Sequence, residues 1–294
     1  MSSTAMETPL ASALELVNSA IRSLREAQQA SQPDAEKINA AQRALELASN
    51  LLSRLDPYLD ECSSKGPPAL RDLIDETDKH DWKGAYERKE VSFRVHPGWS
   101  AGGYEGSFIA MVARSIKARR VLEVGMFTGT TTLCVADALP EDGKIVALEM
   151  DAYFKQLSEP FFARAGVSER VDVRIGAAVD QIKGMVRDNE QPFDLIFIDA
   201  DKTGYHDYYE TIIGSGLLAK GGVLLVDNTL YKGLPFTPDL DKASPELLGR
   251  LQINQEYGTA LRKFNQHVAQ DQRVEASILP IRDGVTWIVQ RQEE

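Results

Sequence analysis

The chain has few cysteines for its length. Among its 294 residues there are two, Cys62 and Cys134, which lie far apart and without a Cys-X-X-Cys spacing. A disulfide framework or a structural zinc site built on cysteines is therefore not expected. Cys134 lies in the apolar run Thr-Leu-Cys-Val-Ala, and we expect it to be a buried core residue of a helix.

Basic residues are also scarce, because 33 Lys and Arg stand against 44 Asp and Glu and give a formal net charge of −11. Proteins that bind nucleic acid need clustered cations to contact phosphates. The short basic cluster at residues 117–120 immediately precedes an apolar strand and is interpreted as a solvated loop. A nucleic-acid partner is therefore not predicted.

Long hydrophobic runs are missing as well. No window of the sequence approaches the roughly 18 apolar residues of a transmembrane helix. The N-terminal residues lack the basic segment and apolar stretch that are typical of export signals. We therefore expect a soluble cytoplasmic protein without a membrane partner.

What the sequence does contain begins with an amphipathic N-terminal region. Apolar residues recur at helical spacing over residues 10–24 and again over 38–55, with a break at 31–34. Each helix would have one apolar face, which must pack on the other helix and on something else. We predict a helical N-terminal extension over residues 1–90, made of this hairpin and a loop-rich linker.

From residue 121 onward, predicted strands alternate with helix-length segments. Strands are predicted at Val121–Val124, Lys144–Glu149, Val171–Ile175, Asp194–Asp199 and Gly222–Asp227. Helices are predicted near 131–139, 153–165, 178–188 and 204–218. Such alternation is typical of parallel strands joined by right-handed crossovers, which make a doubly wound α/β sheet.

The C-terminal part departs from that pattern. A long helix is predicted over about 244–269, followed by two β runs at Val274–Ile281 and Val285–Gln290. Arg-Asp-Gly at 282–284 separates the two runs, and Asp-Gly in that position is typical of a β-hairpin. The sheet is therefore predicted to finish with an antiparallel pair, within a second domain that covers residues 91–294.

A glycine-containing turn joins the first predicted strand to its helix. Glycines let such a turn bend sharply and approach a ligand at the carboxyl ends of the strands. The Gly-X-X-X-Gly spacing of Gly125 and Gly129 differs from the Gly-X-Gly-X-X-Gly fingerprint of dinucleotide binding. Glu149, at the end of the second strand, could accept the two hydroxyls of a ribose, and Glu123 would repel a pyrophosphate but tolerate a cationic ligand. These features favour the sulfonium cofactor S-adenosylmethionine (SAM) over NAD.

Acidic residues also end the fourth and fifth predicted strands. Asp199 ends the fourth strand, and Asp227 and Asn228 end the fifth. Because the carboxyl ends of parallel strands meet at one edge of a sheet, these side chains are expected on the same edge as the glycine turn. Two carboxylates and an amide oxygen suit a hard divalent cation such as Mg²⁺, with positions left open for substrate. Either motif alone could be a strand-end cap, whereas the two together favour a metal site.

Three motifs resemble those of the cation-dependent O-methyltransferases of the caffeoyl-CoA and catechol type. They are Leu-Glu-Val-Gly-Met-Phe-Thr-Gly at 122–129, Ile-Asp-Ala-Asp-Lys at 198–202 and Val-Asp-Asn-Thr-Leu at 226–230. The resemblance covers about residues 95–294. It implies a class I methyltransferase fold, which is a Rossmann-like seven-stranded sheet whose last strand is antiparallel. It also implies SAM as methyl donor and a homodimer, since relatives are commonly dimeric.

The resemblance further implies roles for residues at the motif positions. Asp199, Asp227 and Asn228 fall on the metal positions. Ala101 falls near the methionine end of the cofactor, where Thr or Val is common, and Ala177 falls near the adenine. The implied cofactor positions are Ala101, Glu123, Gly125, Met126, Thr131, Glu149, Ala177 and Asp199.

Lys202 matches the lysine that this family places beside the acceptor hydroxyl. An ordinary lysine, with a pKa of about 10.4, is a poor base at neutral pH, but a nearby divalent cation disfavours its charged form. Lys202 and Asp199 are the predicted catalytic residues. We predict that the cation binds two adjacent oxygens of a small acceptor and that Lys202 takes the proton, so that the oxyanion attacks the sulfonium methyl in line. Tyr231 and Trp99 are further candidates for contact with the acceptor.

A finer resemblance concerns the acceptor. Segments 55–62 and 279–284 and the helical extension resemble the O-methyltransferases of mycosporine biosynthesis, which methylate demethyl-4-deoxygadusol, an enolic cyclohexenone. Catechols, flavonoids and CoA esters remain open as acceptors, and the N-terminal helices could form a lid or a dimer interface. The alternative function is a non-catalytic adenosine-binding or scaffold protein that retains the fold. An NAD-linked oxidoreductase is disfavoured by the glycine spacing.

Overall fold

The structure, a computed structural model, describes residues 8–29, 34–237, 242 and 244–291. The chain divides into two compact units, Met1–Ser63 and Ser64–Glu294. This division lies earlier than residue 90, where the sequence predicted it, because the segment after Ser63 contributes Leu70, Leu73 and Ala85 to the core of the second unit. Among the described residues, no helix is long and apolar enough to cross a membrane.

The first unit consists of two helices that pack on each other, α1 (Pro9–Gln29) and α2 (Ala35–Cys62). Asp34 caps α2, since its side chain accepts the backbone N–H of Lys37. Most of the predicted break between the helices lies outside the described residues. The buried residues of this pair are small, and they are Ala13, Ala20, Ala41 and Ala48. Larger apolar side chains of the two predicted stripes, such as Leu14 and Leu45, remain exposed.

The second unit alternates helices and strands. Its helices are α3 (Pro68–Lys79), α4 (Trp82–Glu87), α5 (Gly102–Ser115), α6 (Thr130–Ala138), α7 (Ala152–Arg164), α8 (Ala178–Arg187), α9 (Tyr205–Ser215), α10 (Pro245–Arg250) and α11 (Gln255–Gln270). Its strands are β1 (Arg120–Val124), β2 (Lys144–Glu149), β3 (Val171–Ile175), β4 (Phe193–Ile198), β5 (Leu218–Val226), β6 (Val274–Leu279) and β7 (Val285–Gln290).

These strands form one sheet in the order β3-β2-β1-β4-β5-β7-β6. The first five run parallel, whereas β7 is antiparallel to both β5 and β6. The predicted doubly wound α/β sheet with an antiparallel end is therefore confirmed. Val124 is in register with Leu148 and Ile198, and Ile198 is in register with Val226. The residues that follow these four positions consequently meet at one edge of the sheet, which we call the carboxyl edge.

The core lies on both faces of the sheet because successive strand residues point to opposite sides. On β1 and β4, Val121 and Leu195 belong to one buried cluster, whereas Leu122 and Ile196 belong to the other. Strands buried on both faces need continuous apolar runs, and this is why the sequence pattern locates them well. Cys134 is buried in the first cluster, as predicted.

The prediction of one continuous helix over about 244–269 is wrong. The structure has two helices there, α10 and α11, because Gln252 adopts a left-handed backbone with φ of 51°. Asn254 then caps α11, since its side chain accepts the N–H groups of Glu256 and Tyr257. An Asn that binds backbone donors in this way favours a helix start over a helix interior.

Candidate functional site

The glycine turn after β1 contacts the ends of both neighbouring strands, β2 and β4, at the carboxyl edge. The N–H groups of Gly125 and Met126 each donate to the carbonyl oxygen of Leu148, 3.0 Å away. Gly125 has φ of 98°, and a Cβ at this position would collide with the carbonyl oxygen of Asp199. Glycine therefore lets the turn approach the end of β4 more closely than another residue could. The Met126 side chain is buried beneath the turn.

Glu149 is held at the end of β2 by backbone donors. Its Oε2 accepts the N–H of Phe127 at 2.8 Å, and its Oε1 accepts the N–H of Asp151 at 3.0 Å. Burial raises the pKa of this carboxyl, while these N–H groups oppose the rise. The N–H of Gly176 donates to the Glu149 carbonyl oxygen at 2.9 Å, and this bond brings Ala177, the residue before α8, to the same edge.

Glu123 is buried on β1, two residues before the glycine turn. Its Oε2 accepts the hydroxyl of Thr132 on α6, and the neighbouring Thr131 is buried as well. Burial raises the pKa of Glu123 to about 8, and the carboxylates of Asp199 and Glu149 act in the same direction. A cationic ligand at this edge would reverse that shift, because an opposite charge favours the ionised carboxyl.

Asp199, which follows β4, forms an ion pair with Lys202. The Lys202 Nζ donates to Asp199 Oδ1 at 2.7 Å and to the Tyr205 hydroxyl at 2.9 Å. Burial lowers the pKa of Lys202, but the carboxylates of Asp199 and Asp227 outweigh burial and hold that pKa well above its usual value. Lys202 is therefore an ammonium group that partly neutralises this end of the edge.

Asp227 and Asn228 follow β5 at the same end of the carboxyl edge as Asp199 and Lys202. The Asn228 N–H donates to Asp227 Oδ1 at 2.6 Å, and Asn228 itself has a left-handed backbone with φ of 58°. The Asn228 Nδ2 donates to Asp283 Oδ1 at 2.7 Å, across to the tip of the β6–β7 hairpin. Burial raises the pKa of Asp227 well above its usual value, and Glu105 and Asp199 reinforce the rise.

Glu105 on α5 joins this cluster, although the sequence interpretation did not include it. Its side chain is 1% exposed, and among the described residues Oε1 has no hydrogen-bond partner. The Arg282 Nε lies 3.8 Å from Oε2, and burial raises the pKa of Glu105 to about 7. An acid in the first turn of a helix ordinarily complements the helix dipole, so the sequence carries no signal for this inward position.

Arg282 at the hairpin tip also holds the loop that precedes α5. Its Nη1 donates to the carbonyl oxygens of Ser100, at 3.1 Å, and of Ala101. The Ser100 hydroxyl in turn lies 3.1 Å from the hydroxyl of Thr130, the first residue of α6. The structure thereby brings buried Ala101 next to the glycine turn, although the sequence separates them widely.

The donor set at the end of β4 and β5 fits a hard divalent cation. The carboxyl groups of Asp199, Asp227 and Glu105 lie together with the amide of Asn228, and one oxygen of Glu105 lacks a partner among the described residues. Oxygen ligands of this kind suit Mg²⁺ or a similar ion, and buried carboxylates need such a counter-charge.

The sequence matches the profile of a family described as O-methyltransferase over residues 60–291. The chain belongs to this family. The O-methyltransferase match thus includes α3–α11, all seven strands and every residue of the carboxyl edge described above.

Two curated relatives of this O-methyltransferase are plant enzymes. Caffeoyl-CoA O-methyltransferase of Populus kitakamiensis is 37% identical over 224 residues, which cover 74% of this chain and 92% of the relative. Tricin synthase 1 of Oryza sativa subsp. japonica is 32% identical over 225 residues, which cover 75% and 80%. The predicted resemblance to the caffeoyl-CoA type is confirmed.

Solved structures agree with the fold. The SAH-bound methyltransferase of Podospora anserina superposes with a TM-score of 0.67 at 30% identity and covers 83% of this chain and 96% of its own. An O-methyltransferase of Streptomyces achromogenes involved in tomaymycin synthesis, solved with SAM, gives a TM-score of 0.64 at 26% identity, with coverage of 81% and 96%. The predictions of a class I methyltransferase fold and of a SAM-dependent O-methyltransferase are confirmed.

Two predicted acceptor residues of this O-methyltransferase lie in different settings. Tyr231 is buried, and its hydroxyl accepts the N–H of Asn254 at 3.2 Å. Trp99 is 54% exposed, and its ring centroid lies 6.3 Å from that of Phe127 in the glycine turn. The structure therefore places Trp99 next to the glycine turn.

Proposed function

We propose that this O-methyltransferase transfers the methyl group of SAM to a hydroxyl of a small acceptor with vicinal oxygens, and that the transfer requires a divalent cation such as Mg²⁺. The carboxylate cluster supports the cation requirement. Asp227 and Glu105 are buried beside half-buried Asp199, and an oxygen of Glu105 has no partner in the described part of the chain. Carboxylates in this setting are unfavourable without a counter-charge.

Asp199, Asp227 and Asn228 are the residues that would hold the cation, and they are also the positions that the sequence resemblance implies. When bound, the cation would chelate and acidify two adjacent acceptor oxygens and would take up the charge of Asp199, so that the pKa of Lys202 falls. Vicinal oxygens are preferred in this proposal because two of them can share one cation.

Lys202 is the proposed base. Its amine, once deprotonated, takes the proton of the acceptor hydroxyl, while Tyr205 keeps the Nζ close to Asp199 through the 2.9 Å hydrogen bond. The acceptor oxygen then forms a bond to the methyl carbon of SAM as the sulfur–carbon bond breaks, which leaves the methyl ether and neutral SAH. Positioning of the two reactants supplies much of the rate.

The proposed cofactor subsite lies along β1 and β2. Glu149 accepts the ribose hydroxyls, Glu123 lowers the energy of the nearby sulfonium, and Ala177 contacts the adenine. The complete proposed set is Ala101, Glu123, Gly125, Met126, Thr131, Glu149, Ala177 and Asp199. Its support is that the backbone hydrogen bonds of the glycine turn bring most of these residues to one edge.

A catechol or an enediol is the proposed acceptor class, and a gadusol precursor of mycosporine biosynthesis is one candidate. Part of the segment that resembles the mycosporine enzymes forms the hairpin tip, where Arg282 contacts Ala101 and Asp283 contacts Asn228. Residues that differ between acceptor classes would therefore act directly beside the proposed site.

The test measures transfer of labelled methyl from SAM to a panel of acceptors, with and without Mg²⁺, after chelator treatment. The panel contains a catechol, a flavonoid, caffeoyl-CoA and demethyl-4-deoxygadusol, each matched by an analogue that carries one hydroxyl. We expect Mg²⁺-dependent transfer to a vicinal pair and little transfer to its matched analogue. Full turnover in the metal-free protein would reject the cation requirement. SAM binding without transfer to any acceptor would favour an adenosine-binding scaffold.

We also propose that the protein is a homodimer. The exposed apolar residues of α1 and α2, among them Leu10, Leu14 and Leu47, support an interface on the first unit. Sedimentation equilibrium of the full chain should give twice the chain mass of 32.5 kDa. A monomer at micromolar concentration would contradict this proposal.

A further inference from the structure

A second cluster of metal-ligating side chains lies between α9 and α11. His206 and Glu210 are four residues apart on α9, a spacing that places them on the same face of the helix. His267 reaches them from α11, and one ligand atom from each of the three side chains lies within 4.8 Å of the others. The cluster contains none of the carboxyl-edge residues.

The contacts within the cluster already hold it together. His267 Nε2 lies 2.6 Å from Glu210 Oε1, and the ring centroids of His206 and His267 are 4.7 Å apart. Arg273 Nη2 donates to Glu210 Oε1 at 2.8 Å, but the same guanidinium also pairs with Asp271 at 2.6 Å. Arg273 would therefore retain a carboxylate partner if Glu210 turned to a cation.

We propose that His206, Glu210 and His267 bind a transition-metal cation such as Zn²⁺. Two imidazoles and one carboxylate suit zinc, whereas the all-oxygen donors of the carboxyl edge suit Mg²⁺. The exposure of His206 leaves access for the ion and for water as a fourth ligand. The ion would link α9, which begins beside Lys202, to α11 and so stabilise the folded state by mass action.

The test titrates the full-length protein with Zn²⁺ in the presence of excess Mg²⁺ and measures affinity by competition with a chromophoric chelator. His206→Ala and His267→Ala should each weaken Zn²⁺ binding at least about tenfold, which is the smallest effect expected when even an outer-shell partner of a metal is lost. His96→Ala, at a histidine outside the cluster, is the matched control and should bind as the wild type does.

Affinity rather than melting temperature decides the result, because His267→Ala also removes a hydrogen bond that stabilises the fold. The same titration in Asp227→Ala excludes binding of Zn²⁺ to the carboxyl edge. Zn²⁺ affinity that survives in the His206→Ala/His267→Ala double variant would overturn the proposal, and so would a wild type without Zn²⁺ affinity.

At the tip of the β6–β7 hairpin, Asp283 fixes the orientation of the Asn228 side chain. An amide side chain can present either its oxygen or its nitrogen, and here Asn228 Nδ2 is bound to Asp283 Oδ1. The backbone reinforces this contact, because Leu230 N–H donates to the Asp283 carbonyl oxygen at 2.8 Å and Thr229 N–H donates to that of Gly284 at 2.9 Å. The Asn228 oxygen is the atom left for a ligand.

We infer that Asp283 is a positioning residue that keeps the Asn228 oxygen directed to the cation, an inference that depends on the proposed metal role of Asn228. Partners that orient a metal ligand commonly change affinity by about 10- to 100-fold when they are lost. Asp283→Ala should weaken Mn²⁺ binding within this range, whereas Asp283→Asn retains an acceptor for the Asn228 amide and should restore most of the affinity.

The readout is free Mn²⁺ measured by electron paramagnetic resonance in the absence of acceptor, so it does not depend on turnover. Equal losses in Asp283→Ala and Asp283→Asn would show that the charge of Asp283 matters rather than its orientation of Asn228, and would overturn the inference. Wild-type affinity in Asp283→Ala would also overturn it. A wild type that binds no Mn²⁺ would reject the proposed function, and this inference with it.

Discussion

The buried carboxyl groups in the two halves of the carboxyl edge differ in their hydrogen-bond partners. On the β1–β2 half, Glu149 has both carboxylate oxygens bound to backbone N–H groups, and Glu123 accepts a threonine hydroxyl. On the β4–β5 half, burial and the nearby Glu105 raise the pKa of Asp227, burial raises the pKa of Glu105, and one oxygen of Glu105 has no partner among the described residues. In the first half, the protein itself supplies hydrogen-bond partners for the carboxyl groups, whereas the second half needs a further positive charge. Hydrogen-bonded acids suit a ribose, and crowded acids suit a cation.

Asp227→Ala is expected to have the largest effect, and it should change catalysis far more than cofactor binding. Loss of this carboxylate should lower kcat/KM at least about 10³-fold, because charge stabilisation at the reacting oxygens is lost. The dissociation constant of SAH, measured by calorimetry, should change less than about twofold, because Asp227 is not among the residues proposed to contact the cofactor. Asp172→Asn, at an exposed acid of β3, is the control. A comparable loss of SAH affinity in Asp227→Ala would show that the halves are not separate.

Lys202→Met tests the base on the metal half. Removal of a proton acceptor should lower kcat by about 10²- to 10⁴-fold. The affinity for Mn²⁺ should not fall, because the substitution removes a positive charge beside Asp199. Lys202→Arg keeps the charge but supplies no base at neutral pH, and it should be equally slow. An active arginine variant would mean that Lys202 contributes only its charge.

Glu123→Gln tests how the cofactor half responds to pH. The pKa of Glu123 is about 8 in the folded protein against 4.5 for an ordinary carboxyl, so the folded state retains a proton that the unfolded state loses. The free energy of unfolding should therefore fall as pH rises from 4.5 through 8, by on the order of a few kcal/mol. Urea unfolding of the ligand-free protein should give a flatter pH dependence in the variant. Part of the slope should remain, because the pKa of Glu105 is raised to about 7. Identical slopes would contradict the assignment to Glu123.

Glu149→Gln is expected to have the smallest effect of the four. A hydrogen bond to a charged group contributes about 1.5–3 kcal/mol, so SAM affinity should weaken by roughly 10- to 100-fold. Mn²⁺ affinity should stay as in the wild type. The expected pattern is thus the opposite of that in Asp227→Ala, which should leave cofactor affinity nearly unchanged. Glu159→Gln, at an exposed glutamate of α7, is the matched control. Unchanged SAM affinity would remove Glu149 from the proposed cofactor subsite.

The sequence allows prediction of the sheet and of most of its carboxyl edge, because these depend on local patterns. Runs such as Leu195–Ile198 show strands buried on both faces, and topology then brings Asp199 and Asp227 together. Glu105 could not be predicted in the same way, since helix spacing does not distinguish an inward acid from a dipole partner. The break at Gln252 and the new helix start at Asn254 depend on backbone conformation and side-chain capping, which periodicity does not report.

Arg282 bonds a carbonyl oxygen that lies 182 residues earlier in the chain, and Asp283 bonds the side chain of Asn228 across 55 residues. During synthesis, β1, β2 and the glycine turn leave the ribosome long before this hairpin does. The cation half must wait for it, so the order of synthesis makes the proposed metal centre one of the last parts of the protein to mature. Asn228 therefore gains the partner that orients it only when the hairpin that completes the sheet has been synthesised.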